Sequence, residues 1–372
     1  MLKVIEAFAG VGSQRMALRN LGTKHEVVGI FEIDKFALKS YEAIHGECPN
    51  LGDISKIDVK DIPKHDLFTY SFPCQDLSIA GKQKGMIRGV TRSGLLYECE
   101  RIIKYCKPKY LLLENVKNLV GKKNKPQFDE WLKFLEDLGY TNYWKVLNAK
   151  DYGVPQNRER VFVVSILGEH KPYDFPLPMK LDKSIKDILE DEVDEKYYMN
   201  KPFKLVNKGR IKAEFINVNF EQGKRIHGID SYFQTLSAAD RGINNILIDA
   251  YLTDFKYKQT SKILNKEGIC STLDTMQGGH REPKILENYR VRKLTPLECW
   301  RLMAFTDEDF FKAKNVGISN SQLYKQAGNS IVVKVLERIF EELFLSEKEN
   351  NERDFEIVKL GNTEVEQFKW VI

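Results

Sequence analysis

Cys74 stands in the segment Ser71-Phe72-Pro73-Cys74-Gln75, directly after a run of apolar, aromatic and β-branched residues at 67–72. Such a run predicts a buried strand. Pro73 has a fixed φ and lacks a backbone donor, so it ends the strand and sets where Cys74 points. A thiol presented at a strand end is a candidate nucleophile. The competing interpretation is a small buried hydrophobe, which is the usual role of a lone intracellular cysteine.

Glu114 ends a second apolar run, at 110–113. Apolar surroundings raise the pKa of a carboxyl group and favour its protonated form, so Glu114 can hold or shuttle a proton. A helix-capping or salt-bridge carboxylate is the alternative interpretation of this residue.

A glycine-containing turn near the N-terminus predicts a nucleotide-type site. Phe8-Ala9-Gly10-Val11-Gly12 closes the first predicted strand, and its glycines let the backbone approach a ligand closely. Arg15 occupies the third glycine position of the dinucleotide fingerprint, so the pattern is not that of an NAD site. Glu32 ends the second predicted strand and can accept hydrogen bonds from ribose hydroxyls. Asp53 is expected to follow the third strand and to reach an adenine amino group.

Together these features favour an adenosyl ligand that carries no pyrophosphate. The alternatives are a surface carboxylate at Glu32 and a turn residue at Asp53.

Strands and helices alternate along the first half of the chain. Strands buried on both faces are predicted at 4–8, 27–32, 67–72, 111–114, 146–149 and 161–167, and helices at 14–21, 34–45, 95–106 and 128–138. This alternation predicts an α/β fold with a doubly wound, mostly parallel, Rossmann-like sheet. Ligands of such sheets bind beyond the carboxyl ends of the strands, so Cys74, Glu114 and the glycine turn are expected to converge.

The chain changes in character near residue 181. Residues 181–287 are dominated by Lys, Asn, Gly and polar aromatic residues and lose the α/β rhythm, which predicts a separate, irregular module. Thr295-Pro296-Leu297-Glu298 predicts a helix start with a capping box. The apolar spacing of 331–344 predicts a helix with one buried face.

Composition bounds the class of protein. The 372 residues carry a net charge of +5, which permits a nucleic-acid partner without requiring one. No apolar run approaches the roughly 18 residues of a membrane span and no signal peptide is recognisable, so a cytoplasmic protein without a membrane role is expected. None of the six cysteines forms a Cys-x-x-Cys pair, so no metal site is predicted.

Six segments, spread over most of the chain and in the same order, resemble the motifs of the DNA cytosine-C5 methyltransferases of bacterial restriction–modification type. They are Phe8-Ala9-Gly10-Val11-Gly12, Phe72-Pro73-Cys74-Gln75, Glu114-Asn115-Val116, Gln156-Asn157-Arg158-Glu159-Arg160, Arg292-Lys293-Leu294-Thr295-Pro296-Leu297-Glu298-Cys299 and Gln326-Ala327-Gly328-Asn329-Ser330. The irregular module lies where this family carries its target-recognition domain, and Thr272-Leu273 resembles a pair that the family keeps there.

The resemblance implies a class I S-adenosylmethionine-dependent methyltransferase fold with a smaller, mostly β target-recognition domain. It divides the chain into a catalytic domain (1–180), a target-recognition domain (181–290), a hinge region (291–322) and a C-terminal helix that returns to the catalytic domain (323–372). It implies methyl transfer from S-adenosylmethionine, leaving S-adenosylhomocysteine, to carbon 5 of a cytosine flipped out of a specific double-stranded DNA sequence. The reaction would pass through a covalent bond between Cys74 and carbon 6. A monomer is implied, with no metal and with room for a separate cognate restriction endonuclease.

The site residues that the resemblance implies fall into three groups. The catalytic group has Arg160 on the cytosine carbonyl and Asn115 orienting the Pro-Cys loop, and comprises Cys74, Glu114, Arg160, Arg158 and Asn115. The cofactor-binding group comprises Phe8, Ala9, Gly10, Val11, Gly12, Glu32, Ile33, Asp53, Ile54, Pro73, Asn329 and Ser330. The DNA-binding group comprises Gln75, Ser78, Lys82, Lys84, Arg92, Thr272 and Leu273.

Three other interpretations stay open. An RNA cytosine-C5 methyltransferase would keep the fold, but that branch carries a Cys-Phe-Thr signature that is absent here and lacks a module of this size. A non-catalytic DNA-binding protein on the same scaffold would be expected to lose the cysteine, the glutamate or the glycine turn, and all three are present. A methyltransferase fold in which Cys74 is only structural is the third.

Overall fold

The computed structural model describes residues 1–73, 92–199, 203–205, 215–216, 248–252, 260–276, 281–287, 290–345, 355–360 and 363–368. Its strands are β1 Leu2–Ala7, β2 His25–Phe31, β3 Leu67–Tyr70, β4 Tyr110–Val116, β5 Tyr140–Asn148, β6 Gln156–Asn157, β7 Glu159–Leu167, β8 Tyr198–Met199, β9 Phe203–Leu205, β10 Phe215–Ile216, β11 Ile248–Leu252, β12 Lys262–Leu264, β13 Cys270–Ser271, β14 Lys284–Glu287, β15 Arg290–Lys293, β16 Phe355–Leu360 and β17 Thr363–Phe368. Its α-helices are α1 Ser13–Asn20, α2 Lys35–His45, α3 Leu96–Cys106, α4 Lys125–Asp137, α5 Pro296–Arg301, α6 Asp307–Asn315, α7 Asn320–Asn329 and α8 Val333–Phe344.

A six-stranded sheet in the order β2-β1-β3-β4-β7-β5 organises the first half of the chain. The pairs β1–β2, β1–β3 and β3–β4 are parallel. β7 runs antiparallel to both of its neighbours, β4 and β5, so it alone is reversed among the six strands. The sheet is therefore mixed and mostly parallel, and the predicted α/β fold is confirmed.

Both faces of this sheet are covered by helices. Successive residues of a strand point to opposite faces, and the fully buried neighbours Val4 and Ile5 accordingly belong to different cores. The Val4 core includes residues of α1 and of the C-terminal helix α8, such as Leu18 and Ile339. The Ile5 core includes residues of α3 and α4. The strands are thus clamped between two apolar layers, which fixes where their carboxyl ends lie.

The predicted elements of this region are confirmed with shifted ends. β5 differs most, since it begins at Tyr140 rather than at residue 146 and is half-exposed along much of its length. It is an edge strand, and the expectation of burial on both faces is wrong for it, because several of its side chains reach solvent, among them Trp144, which is 40% exposed.

A second sheet, in the order β10-β9-β11-β12-β14-β15-β8, gathers strands of the irregular module. Two details bear on the predicted domain boundaries. β15 crosses the predicted boundary between the target-recognition domain and the hinge region, and it pairs with both β14 and β8. β13 instead pairs in parallel with β6, beside the first sheet. The boundaries themselves stay predictions.

The C-terminal segment 323–372 is not one helix. It holds the end of α7, then α8, and then the antiparallel pair β16 and β17. The helix predicted at 331–344 is confirmed as α8, whose apolar face is buried against the first sheet. Within the described residues no helix is long and apolar enough to span a bilayer, and no group of three or more metal-ligating side chains occurs.

Candidate active site

A cavity of about 330 Å³ opens beyond the carboxyl ends of the first four strands. Each of these strands contributes to the lining, through residues 8–11 after β1, 32–34 after β2, 71–73 after β3 and 114–116 at the end of β4. Arg158, Arg160, residues 52–54 and residues 328–331 also line the cavity. The predicted convergence of the glycine turn with Glu114 is confirmed. Cys74 itself lies outside the described residues.

The glycine turn has a backbone that few sequences can adopt. Phe8, Gly10 and Gly12 have φ values of 59°, 58° and 81°, in the left-handed region. At Gly12 a β-carbon would lie 2.5 Å from the imidazole Nε2 of His45 and 2.7 Å from the ring of Tyr41. Glycine is needed at 12 for both its φ and this close packing.

Glu32 is tied to the glycine turn by its carboxylate. One oxygen accepts a hydrogen bond from the Gly10 amide at 2.8 Å, and the other accepts one from the Asp34 amide at 2.6 Å. Burial raises the pKa of Glu32, and these two amides oppose the rise. A carboxylate has about four lone-pair positions, so acceptor capacity is left for hydroxyl groups of a ligand in the cavity.

Asp53 lines the cavity but does not follow the third strand. It precedes β3, in a turn after residue 50, which forms an isolated parallel bridge with Ile30. Its carboxylate accepts hydrogen bonds from the amide and hydroxyl of Ser55, which hold its pKa below the ordinary value. The prediction that Asp53 follows the third strand is wrong, because residues 50–54 form no named strand and the third strand begins only at Leu67. Ile33 and Ile54 also line the cavity.

Glu114 and Arg160 form an ion pair in the cavity wall, with Arg160 Nε 3.2 Å from Glu114 Oε1. The two side chains are only 10% and 16% exposed. Burial raises the pKa of Glu114, as predicted, and the charges of Arg160 and Arg158 oppose the rise. Arg160 also donates to the carbonyl of Glu159 at 2.8 Å. The arrangement places a carboxyl group with a raised pKa next to a fixed cation.

Asn115 joins β4 to the segment that leads into the Pro-Cys motif. Its buried side-chain amide donates to the carbonyl of Phe72 at 3.0 Å, while its oxygen accepts from the Val116 amide at 2.9 Å. The predicted backbone hydrogen bond from Asn115 is therefore present. It fixes the chain next to Pro73, which lines the cavity.

Arg158 is buried and holds three backbone carbonyl groups. One terminal nitrogen donates to Leu273 at 2.8 Å, and the other donates to Gly328 at 2.9 Å and to Ser330 at 2.8 Å. Its side chain therefore clamps the 270s segment and the end of α7 to the first sheet. In this arrangement Arg158 positions other groups, whereas Arg160 faces Glu114.

The segment containing Thr272 and Leu273 packs against this clamp. Leu273 is 2% exposed and belongs to the core, so the predicted DNA contact of Leu273 is corrected: a buried leucine cannot reach a duplex. Thr272 is exposed and donates from its hydroxyl to the carbonyl of Asn157 at 2.7 Å. At Gly328 a β-carbon would lie 1.9 Å from the Asp274 carbonyl oxygen, which shows how closely the two backbones approach. Asn329 and Ser330, the next two residues, line the cavity.

Five of the predicted DNA-binding residues fall outside the part of the chain whose side chains are described. They are Gln75, Ser78, Lys82, Lys84 and the side chain of Arg92.

Sequence reasoning missed a buried group below the glycine turn. Glu6, in the middle of β1, is fully buried and accepts hydrogen bonds from the Arg15 amide and the Tyr41 hydroxyl. A carboxyl inside the apolar strand Leu2–Ala7 was the available signal, because buried glutamates are rare unless they are paired. Gln156 was also missed as a link between Leu302 and Leu273.

Comparison with known proteins agrees with this geometry. Residues 2–345 match the family model of the C-5 cytosine-specific DNA methylases. The chain is 39% identical to the type II methyltransferase M2.ScrFI of Lactococcus lactis subsp. cremoris, over 93% of this chain and 100% of that protein. It is 36% identical to the type II methyltransferase M.SsoII of Shigella sonnei, over 92% of this chain and 79% of that protein.

The fold is shared with solved structures at lower identity. The crystal structure of the S. pombe Dnmt2 methyltransferase aligns with a TM-score of 0.67 and 19% identity, covering 93% of this chain and 99% of that one. The family match over residues 2–345 and the relatives at 39% and 36% identity establish the family of the chain as well as its fold. The chain belongs to the C-5 cytosine-specific DNA methylases, the enzymes that methylate carbon 5 of cytosine in DNA.

Proposed function

We propose that this enzyme methylates a cytosine flipped out of a specific double-stranded DNA sequence, with S-adenosylmethionine as donor and a covalent bond from Cys74 to carbon 6. The observation that carries the proposal is the buried Glu114–Arg160 pair, which lines the same cavity as the glycine turn and Glu32. Glu114, the candidate proton carrier, thus lies in the same cavity as the candidate donor-binding residues of the glycine turn and Glu32. The duplex context follows from the family and from the type II relatives.

The cavity residues fit an adenosyl donor. Glu32 has acceptor capacity for ribose hydroxyls, and Phe31, Ile33 and Ile54 offer apolar lining. The lysine on the lining, Lys325, is paired with Asp34 at 2.7 Å rather than free for a phosphate. The described wall therefore suits a nucleoside without pyrophosphate. When bound, S-adenosylmethionine would supply an electrophilic methyl group.

The catalytic work of the chain begins with Cys74. Carbon 5 of cytosine is a weak nucleophile, and addition of a thiolate to carbon 6 turns the ring into an enamine whose carbon 5 is nucleophilic. The addition moves electrons toward ring nitrogen 3. Glu114 lies in surroundings that favour a protonated carboxyl, so it would hold a proton at nitrogen 3, and Arg160 would bind the cytosine carbonyl.

Completion of the reaction restores the thiol. Once carbon 5 is methylated, the proton on nitrogen 3 returns to Glu114. The carbon 5 proton then leaves to a base, the carbon 6–sulfur bond breaks, and its electron pair returns to Cys74 as a thiolate. Asn115 positions the Pro-Cys segment through the carbonyl of Phe72. Arg158 does not touch the reacting atoms in this scheme, because its two terminal nitrogens donate to three backbone carbonyls.

The target base must leave the helix, since its reacting carbons are unreachable inside a stacked duplex. From the sequence, we assign phosphate and DNA contacts to Gln75, Ser78, Lys82, Lys84 and Arg92. We assign a further DNA contact to Thr272, which is exposed. The residues that read the sequence are assigned to the predicted target-recognition domain. We further propose a monomeric cytoplasmic modification enzyme that acts beside a separate restriction endonuclease; the similarity to type II methyltransferases supports the modification role.

Bisulfite sequencing of plasmid DNA tests the proposal. Plasmid incubated with the protein and S-adenosylmethionine should show one protected cytosine within a recurring sequence. Cys74→Ala should abolish the protection. Protection retained by Cys74→Ala would refute the covalent mechanism, and the absence of any protection with the unaltered protein would refute the assigned activity.

A further inference from the structure

Two buried and two half-buried side chains form a cluster next to the glycine turn, and the mechanism above uses none of them. Glu6 lies on β1, Arg15 on α1, and Tyr41 and His45 on α2. Glu6 and Tyr41 have no exposed surface. The cluster therefore joins the three elements that meet at residues 8–12.

Glu6 supplies what the start of α1 lacks. The residue before this helix is Gly12, which has no side chain to cap the free amides of the first turn. The Glu6 carboxylate accepts a hydrogen bond from the Arg15 amide, the third of the helix, at 2.9 Å. Its other oxygen accepts one from the Tyr41 hydroxyl at 2.6 Å. A strand carboxylate thus takes the place of the missing cap.

The partners of Glu6 also hold the turn itself. His45 Nε2 lies 3.1 Å from the Val11 carbonyl oxygen, and because a carbonyl only accepts, this nitrogen carries the proton. The ring of Tyr41 lies against Gly12, and its hydroxyl also accepts from Arg15 at 3.4 Å. Arg15 further donates to the His45 carbonyl at 3.1 Å. Loss of the Glu6 charge would loosen contacts on both sides of the turn.

We propose that Glu6 is a positioning residue for the methyl donor. The ionised carboxylate of Glu6 holds the glycine turn in the shape that binds the donor. The inference rests on the proposed use of an adenosyl donor. Charge-assisted hydrogen bonds are about twice as strong as neutral ones, so the ionised form orders α1 and Tyr41 more firmly. A turn held in its bound shape loses less freedom on binding and so binds more tightly.

Glu6 titrates in an accessible range. Burial raises its pKa from 4.5 to about 7, against the lowering effects of the Tyr41 hydroxyl and of Arg15. The other groups that face it do not change charge near neutral pH. Burial lowers the pKa of His45 to about 3 and raises those of Cys48, to about 11, and Tyr41. Arginine stays charged throughout.

Calorimetric titration with S-adenosylhomocysteine, without DNA, tests the proposal between about pH 5.5 and pH 9. The unaltered protein should bind about five- to tenfold more tightly above pH 7 than below it, the difference between charge-assisted and neutral hydrogen bonds. Glu6→Gln mimics the protonated acid: its one amide oxygen can accept from the Arg15 amide, whereas its NH2 group cannot accept from the Tyr41 hydroxyl. It should therefore bind weakly throughout. Any titration of the ligand is common to both proteins, and their difference isolates Glu6.

Two further variants separate positioning from general structural damage. Tyr41→Phe removes a hydrogen bond that lowers the pKa of Glu6, so the midpoint of the affinity change should move to higher pH. Glu26→Gln, which removes an exposed carboxylate on β2, should keep the profile of the unaltered protein. Glu6→Gln should raise the KM for the methyl donor. It should leave kcat, measured at saturating donor, within about twofold.

Identical profiles for Glu6→Gln and the unaltered protein would overturn the role of Glu6 while leaving the proposed function intact. If Glu6→Gln does not fold, an unshifted midpoint in Tyr41→Phe overturns the proposal. Failure of the unaltered protein to bind S-adenosylhomocysteine at any pH would instead refute the proposed function.

Discussion

Exchange of each of the two arginines of the Gln-x-Arg-x-Arg segment for lysine should separate a structural role from a catalytic one. Arg158→Lys and Arg160→Lys both keep the positive charge. Arg158→Lys removes a planar guanidinium whose two terminal nitrogens donate hydrogen bonds to three carbonyls. Arg160→Lys removes the guanidinium that is paired with Glu114. The two variants are matched in chemistry and differ only in what the side chain holds.

The expected loss of stability follows from the contacts of Arg158. A lysine carries its three donors on one nitrogen, which cannot occupy both nitrogen positions of the Arg158 guanidinium, so at least one of the carbonyls of Leu273, Gly328 and Ser330 would be left without its donor. A buried unpaired acceptor costs about 1–3 kcal/mol. Arg158→Lys should therefore lower the free energy of unfolding by about 1–3 kcal/mol. It should also weaken donor binding through displacement of residues 328–330. Lysine at 160 still faces Glu114, so a change below about 1 kcal/mol is expected there.

Urea unfolding and steady-state kinetics measure the two effects. Arg160→Lys should lose roughly a hundredfold in kcat at saturating donor, as is typical when an electrostatic contact to the reacting group is removed. Arg158→Lys should show the larger fall in stability and a raised KM for the donor. The reasoning is refuted if Arg158→Lys is as stable as the unaltered protein, or if the two variants lose equal stability.

Three other perturbations test separate contacts. Gly328→Ala would add helix propensity worth about 1 kcal/mol in an open helix, but contact with the Asp274 carbonyl should make it destabilising by about 1–3 kcal/mol in chemical unfolding; a gain in stability would contradict the close approach. Asn115→Ala leaves the Phe72 carbonyl without its donor and should lower kcat with little change in donor affinity, as measured by calorimetry; an unchanged kcat would argue against a positioning role. Because the pKa of Glu6 is higher in the folded chain, about 7 against 4.5, its contribution favours folding at low pH and is lost as pH rises between these values. The stability of Glu6→Gln relative to the unaltered protein should rise over that window by about 3 kcal/mol, and a flat difference would contradict the burial of the charge.

Much of the site could be predicted because its residues sit at strand ends with strong patterns. The apolar runs before Gly10, Glu32 and Glu114 predict strands, and a parallel sheet brings such ends to one edge. Asn115 was predicted to orient the Pro-Cys loop, and its bond to the Phe72 carbonyl agrees.

The features that could not be predicted depend on contacts distant in sequence. Glu6 pairs with Tyr41, 35 residues away, and no local pattern indicates that bond. Arg158 bonds to carbonyls 115 to 172 residues away, which the motif alone does not specify. Leu273 is buried by the same long-range packing.

The extent of β5 was missed for a related reason. Its first half mixes exposed polar and aromatic residues and has no apolar period. Pairing with β7, from Tyr140 opposite Leu167 to Asn148 opposite Glu159, makes it a strand. Edge strands held by one neighbour give a weak local signal.

Mass spectrometry of nucleosides tests the central claim most directly. Duplex DNA treated with the protein and S-adenosylmethionine that carries a deuterated methyl group would be digested to nucleosides. The account predicts label in 5-methylcytosine only, and none with Cys74→Ala. Label in another methylated base, or in 5-methylcytosine made by Cys74→Ala, would contradict it.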